Sequence, residues 1–224
     1  MQRALKTGAM VALLIGGLSL PAQAVPITTA GLSITNGDKL FNNFTCSIVQ
    51  DGAGGTPTAC SSVDVTASTD AFGNVGLRFQ LGGGIIAPGS VDILIGYDAT
   101  VVGSTQLISD IHLAFNGAFT GTGFTTVTET VTGLIPAAGI VGQVTVTNPP
   151  MDLDNVILLS QLQTSVRVSK DILLGVAAPG PGTASISFVD QFLSQTPEPA
   201  SLALLGTALF GFGVRMRRRS KNTL

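Results

Sequence analysis

Tryptophan is absent from this chain of 224 residues, tyrosine and histidine occur once each (Tyr97 and His112), cysteine occurs twice (Cys46 and Cys60), and only 11% of residues are charged. Each shortage removes a class of chemistry. One histidine cannot supply both a general base and a set of metal ligands, and the sequence holds no G-x-S-x-G elbow, H-E-x-x-H pair or P-loop. His112 therefore reads as a structural or solvent-facing side chain. With Tyr97 alone, the chain lacks the aromatic platforms on which sugar rings stack. Cations are scarce too: between residues 25 and 196, Lys39, Arg78, Arg167 and Lys170 stand against eleven aspartates and Glu129, a net charge of −8. Four scattered cations build no basic patch, and an acidic surface repels phosphate backbones, so no nucleic-acid partner is expected. The expectation is a protein that is not an enzyme and needs no cofactor.

What is present is concentrated at the two ends. Arg3 and Lys6 precede an apolar stretch over 9–20, followed by Pro21 and the small-residue exit Ala22-Gln23-Ala24. That order predicts a secretory signal peptide over 1–24, removed before Val25, because the apolar stretch is shorter than the roughly 20 residues a membrane span needs. Export places Cys46 and Cys60 in an oxidising compartment, and the two are predicted to form a disulfide. A catalytic thiol would need a histidine partner. The turn-rich loop between them includes Gly52, Gly54, Gly55 and Pro57, and closing it would stabilise the fold by up to about 3 kcal/mol by restricting the unfolded chain.

Between the ends the apolar period is two. Val75, Leu77, Phe79 and Leu81 alternate with Gly76, Arg78 and Gln80, and Val91, Ile93, Ile95 and Tyr97 alternate with Asp92, Leu94 and Gly96. Shorter alternations recur around Ile111 to Phe115, Val144 to Thr147, Val166 to Val168 and Ala184 to Phe188, separated by clusters such as Gly82-Gly83-Gly84 and Asn148-Pro149-Pro150. Stretch 154–163 is helix-permissive, so a short helix is admissible there or beside Gln191. No repeat of fixed period is present, which argues against a solenoid or propeller. The prediction for 25–195 is one all-β domain, an antiparallel β-sandwich of about 8 to 10 strands.

Four smaller features carry candidate chemistry. Thr126, Thr128, Thr130 and Thr132 recur at every second residue and would line one strand face, either as a β-prone solvent surface or as a row that meets an ordered lattice such as ice or a polysaccharide. Asn43-Phe44-Thr45 is an N-x-[ST] sequon, which makes Asn43 a candidate glycosylation site. Asp152, Asp154 and Asn155 cluster oxygen donors suited to Ca²⁺, without the remaining EF-hand spacing. Twelve acids in one fold also leave open a pair of carboxylates for glycoside hydrolysis, although nothing in the sequence singles out a pair.

The C-terminal segment 196–221 is the most specific part of the chain. Thr196 leads into Pro197-Glu198-Pro199, an apolar run over 200–214, and a basic end with Arg215, Arg217, Arg218, Arg219 and Lys221. As a helix the 15-residue run would extend about 22 Å, short of a hydrocarbon core about 30 Å thick, so it reads as a brief transmembrane helix whose basic end stays cytoplasmic. This ordered set resembles the PEP-CTERM sorting signal of exported bacterial proteins. The resemblance implies an exosortase substrate, with the tail removed by that membrane protease or transpeptidase during delivery. Tails of this type are also labelled ice-binding protein C-terminal domains, a label that implies nothing about ice binding by this chain. Family context implies a cell-surface or extracellular-matrix protein of biofilm or exopolysaccharide, with signal peptidase and exosortase as partners during export, transient passage through the inner membrane, and extracellular polysaccharide as a further partner. The role it implies is structural or adhesive; the alternatives are a secreted polysaccharide hydrolase and a glycan- or Ca²⁺-binding module.

Overall fold

The structure is a computed structural model that describes residues 23–52 and 54–196. Twelve strands follow in chain order: β1 Val25–Pro26, β2 Ile34–Asn36, β3 Lys39–Gly52, β4 Asp64–Thr69, β5 Val75–Ile85, β6 Gly89–Val101, β7 Leu107–Gly121, β8 Gly123–Ile135, β9 Gly139–Asn148, β10 Asp154–Gln163, β11 Ser165–Val176 and β12 Gly182–Thr196. One 3-10 turn, Cys60–Ser62, interrupts them. The strands form two six-stranded sheets, ordered β1-β4-β5-β12-β7-β10 and β2-β3-β6-β11-β8-β9, with antiparallel pairing throughout. This is the all-β antiparallel sandwich that the alternation predicts, with twelve strands in place of about 8 to 10. The added elements include β1 and β2, which are two and three residues long and too short to carry a period.

Alternation decides which side chains enter the core. On β6, Val91, Ile93, Ile95, Tyr97 and Ala99 are buried, and on β11 so are Val166, Val168, Ile172 and Leu174. They face Leu77, Phe79 and Leu81 of β5 and Ile111, Leu113 and Phe115 of β7. Each fully buried Leu, Ile or Phe contributes about 1.5–3 kcal/mol relative to exposure, so the facing sheets are the main source of stability. β11 and β12 lie inside their sheets, flanked on both sides, which sets their inward side chains near the middle of the sandwich.

The helix-permissive stretch 154–163 is strand β10, and Gln191 lies within β12. The open edge of β7 decides this. β10 completes it in register from Asp154↔Ala114 to Leu158↔Asp110, which pairs backbone groups that a helix at this position would leave without partners. The cost is exposed apolar surface at Val156 and Leu158 on the edge.

Candidate binding face and buried polar cluster

Thr126, Thr128, Thr130 and Thr132 of β8 point outward, since the alternate residues Thr125, Val127, Glu129 and Val131 are buried. They do not stand as a single row. β9 sets Thr147 opposite Thr126, Thr145 opposite Thr128 and Gln143 opposite Thr130. The hydroxyls of the first two pairs lie 3.1 and 3.2 Å apart, and Gln143 Nε2 donates to Thr130 Oγ1 at 3.4 Å. Across β8 in the other direction, β11 brings Leu173, Asp171, Ser169 and Arg167 into register with Thr126, Thr128, Thr130 and Thr132. β6 continues the surface with Asp92, Leu94, Gly96 and Asp98. The result is a polar array over four neighbouring strands, which a single-row reading of β8 does not contain.

Two charge arrangements sit on this face. Arg167 donates from Nε and Nη2 to the two carboxylate oxygens of Asp98 at 2.7 and 3.0 Å, and Asn43 Nδ2 donates to the same carboxylate at 2.8 Å. Partial burial disfavours the Asp98 anion, but the hydrogen bonds and charge of Arg167 with the Asn43 contact outweigh it, and the carboxyl lies below its usual range. Asp92 behaves oppositely: burial, then the like charge of Asp171 and the hydrogen bond shared with it, raises its pKa.

The opposite face of the same strands holds a different arrangement. Lys170 of β11 and Glu129 of β8 are cross-strand partners, both with 0% side-chain exposure, and Lys170 Nζ donates to Glu129 Oε2 and to Oε1 of Gln191 from the facing sheet. Gln191 is itself fully buried. Phe79 lies 6.0 Å from Lys170 Nζ, and Tyr97 packs against Phe41, Phe44 and Phe79. Glu129 Oε1 and the Tyr97 hydroxyl have no hydrogen-bond partner among the described residues. Burial lowers the pKa of Lys170 against the opposing pull of Glu129, and burial raises that of Glu129 against the pull of Lys170. Tyr97 is raised far above its ordinary value by burial and then by the Glu129 charge.

None of Lys170, Glu129 and Gln191 belongs to a sequence motif. The signal was nonetheless in the alternation, because Val168-x-Lys170-x-Ile172, Val127-x-Glu129-x-Val131 and Val189-x-Gln191-x-Leu193 each place a polar residue in the apolar phase of a strand.

The other predicted positions are distributed as follows. Cys46 of β3 and Cys60 of the 3-10 turn are joined in a disulfide, with Cα atoms 5.9 Å apart. Asn43 is exposed at φ 54°, at a bulge of β3 between Asn42 and Thr45, with its amide engaged by Asp98. Asp152, Asp154 and Asn155 are not gathered into a cation site. Asp152 forms a bridge with Thr147, Asp154 contacts Nε2 of His112, and Asn155 Nδ2 donates to the carbonyl of Thr145. β10 turns Asp154 and Asn155 to opposite faces, and Asp152 precedes the strand in its bridge with Thr147. Among the described residues no group of three or more His, Cys, Asp and Glu is disposed to hold a metal ion. His112 is tied between Asp154 and Asp70, the latter at 4.0 Å, and its ring lies 6.0 Å from Phe192.

All four described cations are paired with acids, through Lys39–Asp38, Arg78–Asp190, Arg167–Asp98 and Lys170–Glu129, so none is left to form a basic patch. A surface hollow of about 390 Å³ is lined by residues that include Thr29, Ser33, Asn42 and Asn43, none of them acidic. No helix among the described residues is long and apolar enough to cross a membrane. Residues 1–22, expected to belong to the signal peptide, Pro197, Glu198 and Pro199, the apolar run 200–214 and Arg215, Arg217, Arg218 and Arg219 lie outside the described residues.

Residues 195–219 match the PEP-CTERM protein-sorting motif. The chain carries a PEP-CTERM sorting signal. The motif implies an exported protein that an exosortase sorts toward the cell surface. The PEP-CTERM match begins inside β12, where Gln195 and Thr196 pair with Ile108 and Leu107 of β7, so the matched segment includes the end of an interior strand. Among solved structures the chain is similar to TmCBM61 in complex with β-1,4-galactotriose, at 12% identity and a TM-score of 0.34, covering 69% of this chain and 89% of that one. It is also similar to the enzymatically active domain of tailspike protein 4 of Bacteriophage CBA120, at 15% identity and a TM-score of 0.25, over 68% of this chain and 19% of that one. No curated protein matches the chain.

Proposed function

We propose that this protein is a structural or adhesive component of the cell surface or extracellular matrix, acting without catalysis and contacting polysaccharide through the outer face of the sheet that contains β8 and β11. The observation that supports the reading most is the sorting signal at 195–219, because it implies sorting toward the cell surface, where secreted glycan would be within reach of the sandwich. The outer face suits such contact. Its threonine, serine and aspartate groups offer donors and acceptors on a regular spacing, and nearly all glycan hydroxyls can act as either. The apolar run 200–214 serves as a temporary membrane helix, with Arg215, Arg217, Arg218 and Arg219 holding its end in the cytoplasm until the tail is removed.

The test compares the mass and location of the protein in cells with and without exosortase activity. A mature form lacking the tail, found outside active cells and retained in the membrane of inactive ones, is expected. An intact tail on surface-delivered protein from active cells would overturn the sorting part. Glu198→Ala should impair processing and leave the sandwich folded, since Glu198 follows the last strand. For the glycan part, sedimentation of the mature protein with the host's own exopolysaccharide should weaken when Thr128 and Thr145 are both changed to Asp. Equal binding of that variant would remove this face from the proposal.

A further inference from the structure

An amine, a carboxylate and a carboxamide meet in the middle of the sandwich, where none contacts bulk solvent. Lys170 Nζ touches both Glu129 Oε2 and Gln191 Oε1, and the carbonyl carbon of Gln191 is one bond from that oxygen. The three come from β11, β8 and β12, strands flanked on both sides, so their backbones are held in register and their side chains have little freedom to part. Gln191 Nε2 makes a 3.5 Å contact to the carbonyl of Phe192, and the Gln191 amide also engages Glu129, the group that would hand a proton to the leaving nitrogen. The surroundings are apolar and aromatic, with Phe79 and Tyr97 beside the cluster. A site of this composition is costly if its only role is to hold an ion pair, because the desolvation of two charges rivals their attraction.

We propose that Lys170 and Gln191 join covalently in the folded protein as an intramolecular amide, with Glu129 carrying the proton. The neutral amine of Lys170 attacks Cδ of Gln191, forming the Nζ–Cδ bond, while the carbonyl π pair moves to Oε1. Nζ gives a proton to Glu129 as the tetrahedral centre forms. The oxygen pair then returns, the Cδ–Nε2 bond breaks with its electrons on nitrogen, and the proton from Glu129 completes a departing ammonia. One secondary amide and one ammonia replace one amine and one primary amide, Glu129 is regenerated, and nothing is oxidised or reduced. Burial supports the step in both partners, since it favours the uncharged amine of Lys170, the nucleophilic form, and raises the proton affinity of the Glu129 carboxylate, the group that takes the proton from Nζ and hands it to the leaving nitrogen. Proximity supplies the rest, because holding two reactants in contact makes their encounter effectively unimolecular. The product ties the centre of one sheet to the centre of the other, in addition to the Cys46–Cys60 disulfide.

The spacing of cleavage sites makes the bond straightforward to detect. Trypsin cuts after Arg167 and Lys170, and no Lys or Arg occurs from 171 to 214, so Lys170 and Gln191 fall on adjacent fragments. The exported protein is denatured, reduced, alkylated, digested and read by tandem mass spectrometry. The expected result is one peptide starting at Val168, uncut after Lys170 and lighter than its sequence by one ammonia, with fragment ions closing a loop between the two residues. Asn is absent from 168 to 215, which removes succinimide formation as another source of that loss. Ordinary cutting after Lys170 with Gln191 unmodified would overturn the proposal. Loss of one water with a branch to Glu129 would overturn it in favour of a different bond. Glu129→Gln should restore cutting and full mass; an unchanged ammonia loss in that variant would show that Glu129 does not carry the proton. The wild-type peptide decides the main point even if the variant does not fold.

Discussion

β11 presents a cation to each side of its sheet, and the two are handled in opposite ways. Outward, Arg167 forks onto Asp98 with 58% of its side chain exposed, and both groups are pushed toward their charged forms. Inward, Lys170 meets Glu129 with neither exposed, and both are pushed toward their neutral forms. The pairing chemistry is similar and the surroundings differ. Near water the attraction between the partners exceeds the small loss of solvation, whereas in the core the loss of solvation dominates. A surface pair of this kind adjusts stability slightly, while the interior one is a reactive arrangement.

Removing one partner from each pair tests this contrast most severely. Glu129→Ala should destabilise the fold by about 3–5 kcal/mol in chemical denaturation, because it leaves the Lys170 amine buried without its acid. A loss below that of an ordinary surface substitution would mean that solvent reaches the cluster. Arg167→Ala should cost at most about 1 kcal/mol, and less at high salt, since an exposed pair is screened. The same variant should flatten the acid side of the stability profile. The pKa of Asp98 is lowered in the fold, so its contribution is present above the ordinary carboxylate value of 3.8 and is lost as pH falls through the folded value.

Asp92→Asn is expected to act with the reverse sign. Asp92 has a raised pKa, so the unfolded chain releases that proton at lower pH and stability falls as pH climbs from 3.8 toward the folded value. The amide should therefore raise the melting temperature at neutral pH by a modest amount, consistent with about 0.2–1 kcal/mol for relieving a like-charge neighbour, and change it little below about pH 3. An unchanged neutral melting temperature would show that Asp171 does not oppose Asp92. Thr128→Val should move stability by no more than about 0.5 kcal/mol, because it exchanges one outward β-branched side chain for another. A larger loss would make the hydroxyl pair with Thr145 a structural element and weaken its role as contact surface.

The sandwich was legible because period-two alternation is a local property, repeated on β5, β6, β8 and β11. Cys46 and Cys60 were legible as a pair once export was read from the N-terminal residues. The ambiguous segment is 154–163, where Val156, Ile157, Leu158 and Leu159 blur the period and the open edge of β7 decides for a strand over a short helix. Asp152, Asp154 and Asn155 are close in sequence, but β10 sends Asp154 and Asn155 to opposite faces and Asp152 is engaged by Thr147 before the strand begins. The threonine array was half legible: β8 carries its own row, while Thr145 and Thr147 join it only through the register with β9.

By itself the sequence determined the destination and the class of fold, since a sorting tail and an alternating pattern are both written in consecutive residues. Only the tertiary structure decided what meets across the layers. Lys170, Glu129 and Gln191 are separated by 21 to 62 positions along the chain, and their meeting follows from which strands lie inside each sheet and which inward rows face one another. That is a long-range outcome of packing two sheets on one core, and no local period encodes it.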